Sequence, residues 1–302
     1  MADLCNRIAK LKKERDAVIL AHYYVDDAVQ DIADFVGDSY YLSKKATEVR
    51  QKVILFCGVL FMAESAKILN PEKTVLMPDT TADCPMAHMV KEETIRNARA
   101  EYGDLAVVCY INSTAEIKAL SDVCVTSSNA EKIIRALPEH NILFVPDQHL
   151  GHYVARQVPE KNFIFNEGHC IVHTSISREK VEQALRLHPE AQVLAHPECT
   201  ADVVEMADYA GSTSGIIEQA ATSPAQTFII CTEVGVLNQL KRVAPDKTFY
   251  FVGDKKMCVN MKKVTLEKME KALLTMADPI VLDEDLRAAA EHALRRMHEL
   301  GG

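Results

Sequence analysis

Short apolar runs without alternating polar positions recur along the chain, separated by stretches with helical spacing. In the first third the runs are AVILAH (17–22), FVGDS (35–39), KVILFC (52–57) and TVLMPD (74–79), with helical stretches over 29–34 and 41–50. Strands that are apolar on both faces and alternate with helices predict a parallel sheet covered on each side. The pattern then repeats. VILAHYY (18–24), VVCYIN (107–112) and VLAHPE (193–198) bring His22, Tyr110 and His196 into register, 88 and 86 residues apart. Ser39, Ser127 and Thr213 follow in GDS, TSS and GSTSG. ILFCGV, ILFVPD and FIICTE align Cys57, Val145 and Cys231, and the segments NPEK, VPEK and APDK align Pro71, Pro159 and Pro245. So long a period lies outside the short solenoid repeats and predicts three homologous αβα sandwich units with four-stranded parallel sheets about a pseudo-threefold axis. The expected units span 1–103, 104–189 and 190–302, with linking helices over 92–101 and 178–187 and closing helices over 266–276 and 285–300. Thr265 and Asp283 are the expected N-caps and Gly301 the expected C-cap.

In open parallel sheets, ligands lie beyond the C-terminal ends of the strands. That rule selects His22, Ser39 and Gly58 in the first copy, Tyr110, Ser127 and Pro146 in the second, and His196, Thr213 and Thr232 in the third. The hydroxyl-bearing segments GDS, TSSN and GSTSG fall between a strand and a helix, where backbone N–H groups and hydroxyls can hold an anion.

Cysteine usage adds a second signal. The chain has nine cysteines, an odd number that suits metal binding or buried thiols better than a disulfide framework. Cys5, Cys57, Cys109, Cys124, Cys199 and Cys231 read as small buried hydrophobes. Cys84, Cys170 and Cys258 differ, because each closes one copy of the repeat, 86 and 88 residues apart. No fourth cysteine or histidine recurs with them, so a closed zinc site is not indicated. A [4Fe-4S] cluster with one iron unligated by protein fits the three. His149 and His152 are spaced like a helical metal pair but are not repeated, and are read as non-ligands.

The 48% hydrophobic and 25% charged residues are those of a chain able to bury a sizeable core, and no apolar run reaches the ~20 residues of a membrane span. The N-terminus, carrying Asp3, Arg7, Lys10, Lys12 and Lys13, has no signal-peptide core, so the cytosol is the expected address. A net charge of −9 argues against a nucleic-acid groove, and Lys262 and Lys263 are expected to be solvated.

AHYY, DIADFVGDS, GVLFMAESAKIL, YINSTAEIKALSDVCVTSSNA, ILFVPDQHLG, HPEC, GSTSGI and CVNMKKVTLEK together resemble the quinolinate synthase family over nearly the whole chain. The resemblance implies a transferase of de novo NAD biosynthesis. It would condense iminoaspartate (iminosuccinate) with dihydroxyacetone phosphate to quinolinate, releasing phosphate and water, with the iminoaspartate made by an L-aspartate oxidase or dehydrogenase. It also implies a central [4Fe-4S] cluster on Cys84, Cys170 and Cys258. Substrate contacts would come from His22, Ser39, Tyr110, Asn112, Ser127, His196, Glu198 and Thr213, with Ser212 nearby and His173 as a further site residue. Tyr24 and Glu198 are the candidates for proton transfer, assisted by His22 and His196. Val259 departs from the proline that many relatives carry there, and with Cys258 the last cysteine, the C-terminal disulfide open to some relatives is not expected. Another cluster-dependent hydro-lyase and, from a different class, a redox or iron sensor are the alternatives.

Overall fold

The computed structural model describes residues 2–253 and 256–302. The first sheet contains β1 (Ala17–His22), β2 (Phe35–Gly37), β3 (Val53–Cys57) and β4 (Thr74–Leu76). The second holds β5 (Leu105–Tyr110), β6 (Val123–Val125), β7 (Asn141–Val145) and β8 (Asn162–Phe165), and the third β9 (Gln192–Ala195), β10 (Tyr209–Ala210), β11 (Thr227–Cys231) and β12 (Thr248–Phe251). All pairings are parallel, and the strand orders are β2-β1-β3-β4, β6-β5-β7-β8 and β10-β9-β11-β12. The architecture is therefore three repeated αβα units. Register repeats as well, because Ala21 pairs with Cys57, Cys109 with Val145, and Ala195 with Cys231. β1, β3 and β5 are buried along their whole length, which is why their sequences show no polar alternation.

The repeat is maintained by polar side chains that the apolar pattern does not reveal. Asp34, Asp122 and Asp208 each precede the short second strand of their sheet. Their carboxylates accept the N–H of Ile19, Val107 and Val193 at 2.7–2.8 Å, and their own N–H groups donate to the carbonyls of the same residues. Pairing thereby extends past strands only two or three residues long. The lysines of the NPEK, VPEK and APDK segments have an equally local function. Lys73 Nζ donates to the carbonyls of Ala46 and Val49, Lys161 Nζ to Leu137 and Glu139, and Lys247 Nζ to Ala220 and Ser223. Each ammonium thus satisfies carbonyls at the end of the helix after the second strand, which lack intrahelical donors.

Helix bounds shift slightly from those expected. The stretch placed over 41–50 is the helix Ser39–Glu48, because Asp38 caps it by accepting the Tyr41 N–H. Thr265 and Asp283 are N-caps, accepting from Lys268 and from Asp285 and Leu286 respectively. Gly301 is not the C-cap. It is the last residue of the helix Glu284–Gly301, and Gly302 caps it.

That final helix follows the third sheet in the chain but packs on the first two. Ala290, Ala293, Leu294 and Met297 are buried in one continuous core with residues of the first and second units. Arg287 donates to the Ile68 carbonyl, Ser43 Oγ pairs with His298 Nε2 at 3.0 Å, and Arg296 donates to the Asp122 carbonyl. The third sheet instead has separate clusters on its two faces, around Val193 and Ile229 and around Leu194 and Phe228. Among the described residues no helix is long and apolar enough to cross a membrane.

Replacing Lys161 by Met leaves two helix-end carbonyls without their donor. It is expected to cost about 1–3 kcal/mol, measured as a lower urea midpoint at unchanged slope. Lys10→Met, whose side chain is 77% exposed, should leave the midpoint in place. Equal midpoints for the two variants would contradict this reading of the repeated lysine.

Candidate active site

In each sheet the connections from the first and third strands leave in opposite directions, opening a crevice at their C-terminal ends. The three crevices meet in one cavity of about 440 Å³. Its walls include His22, Tyr24 and Ser39 from the first unit, Tyr110, Asn112 and Ser127 from the second, and His196, Glu198 and Thr213 from the third. Cys84, Cys170, Cys258 and His173 line the same space. Ser212 does not. It caps the helix Thr213–Thr222, its Oγ accepting the Gly215 N–H at 3.1 Å. His149 and His152 border a separate cavity between the second and third units. Cys57, Cys109, Cys124, Cys199 and Cys231 are buried, Cys5 is half-buried, and all are free thiols.

His22 and His196 are equivalent in the repeat and are held in the same way. His22 Nδ1 accepts the N–H of Tyr24 at 3.1 Å, and His196 Nδ1 accepts the N–H of Glu198 at 3.3 Å. An imidazole whose Nδ1 accepts must, when neutral, carry its proton on Nε2. Both rings are neutral at ordinary pH, since burial pushes each down to about 3. His196 Nε2–H accordingly donates to Ser127 Oγ across the unit boundary at 3.2 Å.

Glu198 is the electrostatic centre of the site. Its Oε1 accepts the Tyr110 hydroxyl at 2.5 Å, and its Oε2 lies 2.8 Å from His173 Nδ1. Burial alone would raise this carboxyl, but His173 and the hydrogen bonds from His173 and Tyr110 outweigh it and hold Glu198 well below the usual carboxylate range. Tyr110 and Tyr24 go the other way. Burial and the nearby Glu198 charge push both phenols far above their ordinary value, so both are proton donors. The Tyr24 hydroxyl lies 2.7 Å from Thr213 Oγ1 and 2.9 Å from Thr232 Oγ1, and His173 Nε2 reaches that same Thr232 oxygen at 2.8 Å. Asn112 Oδ1, on the cavity wall, is buried without a hydrogen-bond partner.

Each of the three cavity cysteines is half-buried. Burial first, and then the Glu198 charge, pushes the Cys84 and Cys170 thiols up, Cys84 to about 12, with smaller contributions from Cys258 on Cys84 and from Cys84 on Cys170. All three sulfurs line one cavity, with those of Cys84 and Cys170 close enough to feel the Glu198 charge. Among the described residues, the group of metal-type ligand atoms lying within 4.8 Å of one another is Cys170, His173 and Glu198. His173 Nδ1, placed between Glu198 Oε2 and Cys170 Sγ at 3.2 Å, accounts for that closeness by hydrogen bonding.

Lys262 is not the solvated lysine expected from sequence. Its side chain is only 16% exposed, and Nζ donates to the Tyr24 carbonyl at 2.7 Å while lying 3.6 Å from Glu233 Oε1. The loop after Cys258 folds inward against the turn that carries Tyr24, and Glu233 at the end of β11 supplies the countercharge. Sequence reasoning misplaced Lys262 in solvent and passed over Glu233 and Asp147. The last two stand at equivalent repeat positions two residues beyond Cys231 and Val145, which is the signal that could have found them.

Three sheets delivering acid–base groups and thiols to one shared cavity define a triplicated α/β enzyme with a thiol-lined centre. Residues 6–299 match the family described as quinolinate synthetase A protein, NadA. The quinolinate synthase of Caldicellulosiruptor bescii is 53% identical over 298 residues, covering 99% of this chain and 98% of that protein. Those of Fusobacterium nucleatum and Clostridium perfringens are 52% and 50% identical, covering 98% and 99% of this chain and 99% and 100% of their own lengths. The chain belongs to the quinolinate synthetase A family.

The buried imidazoles generate a pH prediction. A histidine whose pKa is about 3 when folded and near 6.5 when unfolded binds its proton more readily in the unfolded chain. Its contribution to stability is complete above about pH 6.5 and is lost as pH falls toward 3. The urea midpoint should therefore drop between pH 6.5 and 4, and His22→Asn and His196→Asn should each flatten that slope. Slopes identical to the parent's would contradict the assignment of two neutral rings.

Proposed function

We propose that this protein is a quinolinate synthase of NAD biosynthesis, condensing iminoaspartate with dihydroxyacetone phosphate and releasing phosphate and water. The observation that carries the reading is the meeting of Cys84, Cys170 and Cys258 with neutral imidazoles, hydroxyls and the Glu198 carboxylate in a single cavity. The donor set suits an iron–sulfur cluster. All three donors are thiols at equivalent repeat positions, and they are not gathered as tightly as the Cys170–His173–Glu198 group. A single tetrahedral ion with sulfur bonds of ~2.3 Å would require close gathering of that kind. Cys84, Cys170 and Cys258 would hold a [4Fe-4S] cluster, which when bound supplies an iron free of protein ligands as a Lewis acid.

The remaining groups suit two small anionic substrates. The Nε2–H groups of His22 and His196 and the hydroxyls of Ser39, Ser127 and Thr213 donate to carboxylate or phosphate oxygens without adding positive charge. Asn112, with its unpartnered Oδ1, accepts a substrate N–H or O–H. Glu198, kept ionised by its neighbours, is the base that removes a proton from substrate carbon. Tyr24, kept protonated, is the acid that delivers one to a leaving oxygen. His173 fixes the Glu198 carboxylate from the side of Cys170. A cavity walled by three units also excludes water from a hydrolysable imine.

The test is an anaerobic assay for quinolinate on protein whose iron and sulfide are counted in the same preparation. Product is expected in proportion to about four irons per chain. Cys170→Ala should lose both iron and product, while Cys57→Ala, in a buried strand, should keep both at reduced stability. Turnover by iron-free Cys170→Ala would overturn the reading, and a full cluster without quinolinate would transfer it to a hydro-lyase acting on a hydroxy acid.

A further inference from the structure

Behind the cysteines lie two buried carboxylates to which the reaction assigns no task. Asp147 follows β7 and Glu233 follows β11, 86 residues apart, and both are 0% exposed. Asp147 Oδ1 accepts the Leu150 N–H at 2.8 Å, capping the helix Gln148–Gln157, and Oδ2 accepts the Cys170 N–H at 3.2 Å. Glu233 repeats the arrangement. Its Oε2 accepts the Gly235 N–H at 2.5 Å and its Oε1 the Cys258 N–H at 3.0 Å.

A backbone bond accompanies each of these. Gln148 N–H donates to the Gly168 carbonyl and Val234 N–H to the Lys256 carbonyl, both at 2.8 Å, tying the strand exit to the residue two before the cysteine. The first unit keeps this bond, from Leu60 N–H to the Ala82 carbonyl at 2.8 Å, but Val59 occupies the carboxylate position. There the Cys84 N–H turns to its neighbour Asp83 at 2.7 Å, whose side chain is 36% exposed and also reaches His88.

We infer that Asp147 and Glu233 are positioning residues that anchor the Cys170 and Cys258 loops to the strand ends, leaving Cys84 as the cysteine held without such an anchor. The inference rests on the reading that these three cysteines bind a cluster. An anchored cysteine gains rigidity because one carboxylate fixes both the helix start and the cysteine backbone, so loss of one acceptor oxygen loosens the ligand without removing it.

The experiment uses anaerobically reconstituted holoprotein with Asp147→Asn and Glu233→Gln, which keep the side-chain shape but turn one acceptor into a donor. Asp283→Ala, the loss of an exposed helix cap, is the control. Release of iron to excess chelator, the resonance spectrum of the reduced cluster and the urea midpoint are measured on each. Asp147→Asn and Glu233→Gln should release iron about 10–100-fold faster than the parent with a shifted spectrum, and Asp283→Ala should lose urea stability yet keep the parent rate and spectrum. Parent-like release by both carboxylate variants would overturn the inference, as would equally fast release by Asp283→Ala. Should the isosteric variants not fold, Asp147→Glu and Glu233→Asp, which displace both acceptors, decide the point by faster or unchanged release. A parent that takes up no iron fails earlier, sinking the cluster reading and not the anchoring alone.

Discussion

A strand covered on both faces has no room for a polar side chain along its length, and this restriction decides where chemistry can sit in the molecule. β1, β3 and β5 carry side chains that pack against helices on either side, so the polar groups of each sheet collect at the C-terminal strand ends. One such sheet offers a shallow crevice. Three sheets with the same strand order and register place three crevices around one cavity, and each unit completes the polar network of another. Tyr24 of the first unit meets Thr213 of the third, Tyr110 of the second meets Glu198 of the third, and His196 of the third meets Ser127 of the second.

Within that cavity the electrostatics follow from dryness. Burial discharges the two symmetry-related histidines and keeps two tyrosines protonated, while Glu198 escapes the same pressure because its contacts with His173 and Tyr110 favour the charged form. The result is a buried Glu198 carboxylate held among hydroxyl and imidazole donors. Under the proposed reaction, the neutral donors would receive the incoming anions and the carboxylate would act as base.

Much of this was legible in the sequence because triplication writes each structural requirement three times. The apolar runs, the strand ends and the three recurrent cysteines came from spacing alone, and all three sheets follow the expected plan. What stayed hidden is where a single residue acts through its three-dimensional neighbours. Lys262 looks like any exposed lysine until the Cys258 loop is seen folded onto the Tyr24 carbonyl. Ser212 shares a hydroxyl-rich segment with Thr213, but one faces the helix start and the other the cavity. The last helix takes its place from the faces of the first two units and not from its position in the chain. Asp147 and Glu233 were visible as repeat-equivalent acids, yet only the backbone donors they reach give them a role.

The most direct test of the central claim, that the three loop cysteines closing the repeats would jointly hold the metal centre, is a crystal structure of anaerobically reconstituted protein with anomalous scattering measured at the iron edge. The account predicts iron density bonded to Cys84, Cys170 and Cys258, with one iron free of protein ligands. A single metal peak held by Cys170, His173 and Glu198, with Cys84 and Cys258 remaining unligated thiols, would contradict it.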